Sequence, residues 1–245
     1  VPARGYKFVR ADISQEEARI AAFLANDLVM LERLSKGQDV YLPIAQRLYD
    51  IVYPNQELPR HRVTTTDKKW RDPAKTIWLG KLFGAGPTKI VDAAAEFGIN
   101  ITPNQAKAID QWFNAEYPRI AAFASEQFKF LEEHGYIQTW FGRRRWIPKG
   151  LTGNQKEKAA AKREAANMPI QGTAGDVLKI MLCRIYDSLH GHDARLVLTV
   201  HDEVVVEVAE HEIEYVQNVL LNSTKDIMPI ELPVDVDKRG ESTWQ

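Results

Sequence analysis

The chain has 245 residues, 44% apolar and 27% charged, with 32 basic against 33 acidic side chains. That is the composition of a water-soluble globular protein, and no apolar run approaches the roughly 20 residues of a membrane span, so no membrane partner is expected. The single cysteine, Cys183, excludes an intrachain disulfide and a thiolate metal cluster; with no signal-peptide pattern at the start, an intracellular, cytoplasmic setting is expected.

In chain order, Tyr6 to Ala11 alternates as a strand that ends at Asp12. Ser14-x-x-Glu17 is a capping-box pattern before Ile20, Ala21, Phe23 and Leu24, and predicts a helix starting at Ser14. A second helix is expected over Val40–Val52, then a loop from Pro54 to Arg62 with Pro54 and Pro59 as breakers. Asp72-Pro73 reads as an N-cap followed by proline at the first helical position, opening a helix that runs to about Phe83. Gly84-Ala85-Gly86-Pro87 stops it. Further helices are expected over Lys89–Phe97, Pro103–Tyr117 and Arg119–His134. Tyr136–Phe141 and Arg145–Ile147 read as short strands around Gly142. A long helix from about Glu157 to Leu189 should be interrupted near Pro169. A hairpin over 196–208, a helix from Glu210 to about Asn222 and a strand near Leu232–Asp237 complete the chain. Strands at both ends and helices between them predict an α+β fold with a helical insertion.

The hairpin carries the strongest chemical signal. Leu196 to Val200 and Val204 to Val208 are β-branched runs whose connection is His201, Asp202 and Glu203, where Asn or Gly would be ordinary turn residues. Adjacent acids at such a tip suit a cation. Asp12 ends the other predicted strand, and if the two strands pair, both carboxylates reach a common ion. Two carboxylates with open positions suit Mg²⁺, and two such ions activate a hydroxyl and stabilise a leaving oxygen. By itself Asp12 also reads as a turn-stabilising residue, and Glu17 as a helix cap.

From Arg71, steps of four residues place Lys75, Leu79 and Phe83 on one broad helix face. Two cations near a helix start make a triphosphate clamp, and the apolar pair offers a surface for a base and sugar. An amphipathic core helix would show the same spacing. Between Gly142 and Arg163, eight basic residues that include Arg143, Arg144, Arg145 and Lys149 stand against Glu157 alone. This fits a phosphate-binding segment or a solvated basic face.

These segments together resemble the family A DNA polymerases. Asp12-Ile-Ser-Gln-Glu-Glu-Ala-Arg19 is similar to that family's motif A, Arg71 to Gly84 to its motif B, and Val200-His-Asp-Glu203 to the core of motif C. Thr139-x2-Gly-Arg-Arg-Arg145 and Arg163-x3-Asn167-x3-Gln171-Gly-Thr-Ala174 add two further matches, and Gly240–Trp244 resembles the family's C-terminus. The resemblance implies a palm over 1–37 and 163–245 and fingers over 38–162, with thumb and exonuclease domains absent. It implies template-directed DNA synthesis from dNTPs on a primer–template, with Asp12 and Asp202 holding two Mg²⁺ ions (Mn²⁺ as a substitute) and Glu203 in support. Arg71 and Lys75 would bind the incoming triphosphate, Lys75 also protonating the departing pyrophosphate. Glu17 would exclude a ribose 2′-hydroxyl, and Gln15, Tyr41, Leu79 and Phe83 would complete the dNTP site. Arg143, Arg144, Arg163, Asn167, Gln171 and His201 would contact DNA.

Departures from the pattern are Leu79 for Phe or Tyr, Phe83 for Tyr, Tyr41 for His and Ile13 for Tyr; Leu79 is a phage-type feature. They bear on fidelity and sugar use rather than on the reaction. A start at Val1, a few residues before motif A, predicts that the thumb and the rest of the palm belong to a separate polypeptide or to a longer chain. Two other readings are a nucleic-acid-binding or assembly module inactive without that N-terminal half, and a single-subunit RNA polymerase, against which Glu17 argues.

Overall fold

The computed structural model of the chain describes residues 1–54, 61–148 and 152–237. Most of the expected loop at 54–62, the basic residue Lys149 and the closing Gly240–Trp244 therefore lie outside the described residues. In chain order the elements are β1 (Tyr6–Ile13), α1 (Glu16–Ala25), α2 (Leu28–Ser35), α3 (Leu42–Val52), α4 (Lys68–Leu82), α5 (Pro87–Glu96), α6 (Pro103–Glu116) and α7 (Pro118–His134). There follow β2 (Tyr136–Gln138), β3 (Arg144–Trp146), α8 (Gln155–Ser188), β4 (Ala194–Val200), β5 (Glu203–Ala209), a 3-10 turn (Glu210–Glu212), α9 (Ile213–Asn222) and β6 (Val234–Val236). Among the described residues, no helix is long and apolar enough to cross a membrane.

Two compact units result, Val1–Ile20 with Gln171–Gln245, and Ala21–Ile170. The first is built on an antiparallel sheet in the order β4-β5-β1-β6. β5 is central and buried from Val204 to Ala209, as its run of valines requires. The one charge in that buried stretch, Glu207, accepts from the Ala3 N–H at 2.7 Å and from Arg195 Nε at 2.6 Å. β1 lies against β5 with Tyr6 opposite Ala209 and Ala11 opposite Val204. On its other side, Asp12 falls opposite Asp235 of β6. β4 forms the edge, where a register shift between Leu196 and Leu198 bends the strand. α9 packs Val216 and Leu220 over β1, β5 and β6.

The second unit is helical around Trp78, Leu48, Ile44, Ile90, Ile109, Phe113 and Ile120, all buried. One carboxylate serves two helices in it. Buried Asp27 accepts from the Met30 N–H at 3.0 Å as the cap of α2, and from the Ile120 N–H in the first turn of α7 at 3.3 Å. A smaller cluster of Leu131, Ile137, Ile147, Ala161, Ala165 and Met168 underlies the β2–β3 hairpin.

Three local expectations need correction. α4 begins at Lys68, behind an N-cap position at Asp67, so Pro73 is inside the helix and Asp72 is not its cap. α8 runs unbroken from Gln155 to Ser188 with Pro169 inside it. A proline within a helix removes one i→i−4 hydrogen bond. Here both prolines are buried, on helix stretches whose apolar residues are buried with them. Burial outweighs the lost bond. Finally, α1 begins at Glu16 rather than directly after Ser14, so Glu17 is not the third helical residue of a Ser14 capping box.

Candidate functional site

In the sheet unit, the acids collect where β1 and the β4–β5 hairpin end. Val200 pairs with Glu203, leaving His201 and Asp202 as a two-residue turn. His201 adopts φ 56° and takes the left-handed conformation that such turns usually give to Asn or Gly. Gln15, between β1 and α1, adopts φ 53°. Each non-glycine residue in that region costs on the order of 1–2 kcal/mol, and such strain concentrates at functional sites. The turn at Gln15 is fastened from behind by buried Arg19, whose Nε donates to the Ser14 carbonyl at 2.9 Å and whose Nη1 donates to the Glu231 carbonyl at 3.4 Å.

Because β1 and β5 pair, Asp12 and Asp202 meet and share a hydrogen bond. Desolvation first, then the Asp202 charge and that hydrogen bond, then Asp235 and Glu203, push the Asp12 carboxyl up to about 6. Glu203 thus contributes to the field at Asp12. Among the described residues, no group of three or more His, Cys, Asp or Glu side chains is arranged to hold a metal ion. An ion here would rest on two carboxylates and complete its shell from water and substrate oxygens. That donor set fits Mg²⁺, which keeps much of its hydration.

A cleft of about 290 Å³ on the Asp202 side is lined by Glu16, Glu17, Gln171, Gly175, His201 and Asp202. Gln171 Nε2 donates to Glu17 Oε1 at 3.1 Å, so an expected DNA contact is tied to the expected sugar gate. Glu16 carries no separate signal in the sequence. Its carboxyl is buried, its Oε1 lacks a hydrogen-bond partner, and desolvation followed by the charges of Asp202, Glu17 and Asp12 pushes it up to about 8. An acid in a helix's first turn ordinarily reads as a dipole partner, which hides a buried one.

In the helical unit, α4 buries Trp70, Ala74, Ile77, Trp78 and Leu82 and leaves the other side open. Lys75 is exposed on that open side, with Leu79 and Phe83 half-buried along the same stripe. The early start of α4 changes the clamp, however. Lys75 stands about two turns into the helix, so the free N–H groups expected beside it are not there. Arg71 is not free either. Its Nε donates to Asp39 Oδ2 at 2.6 Å, and its guanidinium lies 5.2 Å from the Tyr41 ring centroid. Asp39 also accepts from the Tyr41 N–H at 2.9 Å. Tyr41 itself is buried, edge-on to Trp78, and therefore props Arg71. Asp39 carries no signal in the sequence, since only the fold brings it to Arg71.

The β2–β3 hairpin of this unit turns at Gly142, φ 83°, where the Thr139 carbonyl accepts from the Gly142 N–H at 3.0 Å and Thr139 Oγ1 from the Arg143 N–H at 3.2 Å. Arg143 and Arg144 are exposed beside Trp140, Phe141 and Trp146, which are 49%, 40% and 64% exposed. Arg144 lies 4.5 Å from the Tyr136 ring centroid, and Arg145 pairs with Glu164. Cations interleaved with exposed aromatic rings are a surface suited to nucleic acid. On α8, Arg163, Asn167 and Gln171 follow at steps of four; Arg163 and Gln171 are exposed, and Asn167 is half-buried with Oδ1 lacking a hydrogen-bond partner.

The fold matches that of a solved structure described as the POL domain of Pol1 from M. smegmatis in complex with DNA primer-template and dNTP. The TM-score is 0.83 and the identity 26%, over 98% of this chain and 41% of that one. An antiparallel sheet joined to a helical unit, with two acids meeting at a hairpin tip, is thus the fold of a polymerase domain. The chain belongs to DNA polymerase family A, whose family model matches residues 1–245. It is 33% identical over 243 residues to DNA polymerase I of Chloroflexus aurantiacus, covering 98% of this chain and 24% of that protein. To the thermostable DNA polymerase I of Thermus aquaticus it is 29% identical, covering 100% of this chain and 28% of that one. The chain therefore spans about a quarter of the length of these relatives.

Proposed function

We propose that the chain is the catalytic portion of a DNA-directed DNA polymerase, transferring nucleotides from dNTPs to a primer 3′-hydroxyl. The observation that carries this reading is the contact between Asp12 and Asp202 at the ends of paired strands. Divalent cations held by Asp12 and Asp202 would supply activation of the attacking hydroxyl and stabilisation of the leaving oxygen. The protein's own part is positioning and charge, which is most of what phosphoryl transfer asks of a protein.

In this reading Arg71, aimed by Asp39 and Tyr41, binds the triphosphate, and Lys75 binds it and gives a proton to the departing pyrophosphate. Leu79 and Phe83 support the base and sugar, with Gln15 completing the nucleotide site. Glu17, held by Gln171, blocks a 2′-hydroxyl. His201, Asn167 and Arg163 contact the minor groove, whose acceptors recur at similar positions in every base pair and so let donors check pairing. Arg143 and Arg144 take backbone phosphates, giving salt-dependent affinity without sequence preference. The thumb and the remaining palm, supplied by another polypeptide or a longer chain, hold the duplex.

Primer extension with Mg²⁺ and four dNTPs, with and without an added N-terminal portion, tests the reading. Asp12→Ala and Asp202→Ala should each abolish extension and leave DNA binding in place. Extension by either variant at the wild-type rate would reject the metal assignment. DNA binding without extension under every condition would favour a binding module.

A further inference from the structure

Glu16 is the one acid in the sheet unit's cleft that the proposed chemistry leaves unused, and it is the most costly. It is 5% exposed, and its Oε1 has no hydrogen-bond partner. The groups that set the field around it are all acidic: Asp202 from the hairpin turn, Glu17 from its own helix and Asp12 from β1. A buried carboxyl without a donor forfeits its hydration and gains nothing in return. Helix-dipole stabilisation does not account for it, because an exposed acid would obtain the same benefit at no desolvation cost.

The surrounding space is suited to a hydrated ion. The cleft that Glu16 shares with Asp202 holds about 290 Å³, and a water's share of liquid volume is roughly 30 Å³. Yet Glu16 does not join Asp12 and Asp202 as a third ligand, since no three such groups among the described residues converge on a metal position. What the unpartnered oxygen can take is a hydrogen bond from a water that the ion carries. Partners in that outer layer orient the directly bound groups and strengthen the site.

We infer that Glu16 is a positioning residue for a divalent cation held by Asp12 and Asp202, its buried Oε1 accepting a hydrogen bond from a water on that cation. The inference rests on the reading of the Asp12–Asp202 pair as the cation site. It explains why a buried, unsatisfied acid is kept beside two others: the fold without the ion is strained, and the ion relieves it.

The test is Mn²⁺ binding to the 245-residue chain, read from the free-ion signal in electron paramagnetic resonance, together with thermal unfolding in chelator. Glu16→Leu should raise the unfolding temperature in chelator and weaken Mn²⁺ binding by about tenfold or more. Glu16→Gln, which keeps one acceptor oxygen, should fall between Glu16→Leu and wild type in both readings. A merely structural Glu16 gives the opposite pattern, with both substitutions lowering the unfolding temperature in chelator and leaving Mn²⁺ affinity as it was. Affinity unchanged in Glu16→Leu overturns the inference whatever the stability does. Asp202→Asn separates the two layers of the claim. If it abolishes binding while Glu16→Leu binds normally, only the role of Glu16 fails; if it binds as wild type does, the cation site itself is misplaced.

Discussion

Asp12 and Asp235 face each other as a cross-strand pair of β1 and β6, two acids directly opposite in an antiparallel ladder. Like charges in that arrangement destabilise a sheet by roughly 0.2–1 kcal/mol, and Asp235 adds to the forces that raise the Asp12 carboxyl. Asp235→Asn should therefore stabilise the metal-free chain by about that amount in urea unfolding. The gain should shrink when Mg²⁺ is present, because an ion held by Asp12 would already offset the repulsion. An equal gain with and without Mg²⁺ would mean that Asp235 does not feel the ion.

Stability against pH follows from the two raised carboxyls. Asp12 lies at about 6 against an ordinary 3.8, and Glu16 at about 8 against 4.5. A carboxyl raised on folding keeps its proton in the native state after the unfolded chain has released it. Its contribution is full below the ordinary value and is lost as pH rises to the folded one. Glu207 and Asp67, whose carboxyls are lowered, act in the opposite sense at low pH, so the comparison with a variant is what isolates Glu16. In chelator, Glu16→Gln should gain stability over wild type progressively from about pH 4.5 to pH 8, by a few kcal/mol at the upper end. Parallel pH curves for the two proteins would show that Glu16 ionises as an ordinary exposed acid.

Asp39 holds Arg71 through a 2.6 Å contact and the Tyr41 backbone through a second oxygen. Asp39→Ala leaves a partly buried guanidinium and an amide without their acceptor, at a cost of about 1–3 kcal/mol in stability. It should also raise the KM for dNTPs several-fold more than it lowers kcat, since Arg71 is still present but no longer aimed. A kcat loss with KM unchanged would place Asp39 outside nucleotide binding.

The sequence made the sheet legible because alternation in β1 and the valine runs of β4 and β5 have one reading, and the acids at their ends followed from it. Prolines misled where burial prevailed. Pro73 and Pro169 look like helix punctuation, but each sits in a packed interior that outweighs one missing hydrogen bond. Arg71 could be named as a cation on α4, yet its restraint by Asp39 joins distant residues, and spacing carries no trace of that. Asp235 is hidden for the same reason, being brought to Asp12 only by the register of β6. Glu16 was hidden by its neighbour, for two adjacent acids at a helix start read as one favourable feature until burial distinguishes them.

His201 occupies the left-handed turn position at a conformational cost that glycine would not bear. His201→Gly should stabilise the chain by up to about 1 kcal/mol while reducing primer extension. Thermal unfolding and extension rate measured on the same preparation check both halves. Stability gained without any loss of extension would leave the imidazole with no role at the primer end.

The hydrogen bond from Gln171 to Glu17, 3.1 Å long, would make sugar selection, on the proposed reading of Glu17, a property of two residues rather than one. Glu17 has the second position of α1, where its side chain is free to choose among rotamers unless something holds it. Gln171 supplies one such hold. Glu17→Ala should raise ribonucleotide use relative to dNTP use by about tenfold or more, a change of about 1.4 kcal/mol in discrimination. Gln171→Ala should give a smaller change in the same direction, because the gate remains but swings. The double variant should then match Glu17→Ala, since a tether has no effect once the gate is gone; that non-additivity is the signature of residues acting together. Single-nucleotide incorporation of dNTP and ribonucleotide by the four proteins completes the cycle. If the two changes simply add, Gln171 acts on sugar choice independently of Glu17. If Gln171→Ala weakens DNA binding and leaves sugar choice alone, the hydrogen bond has no part in selection.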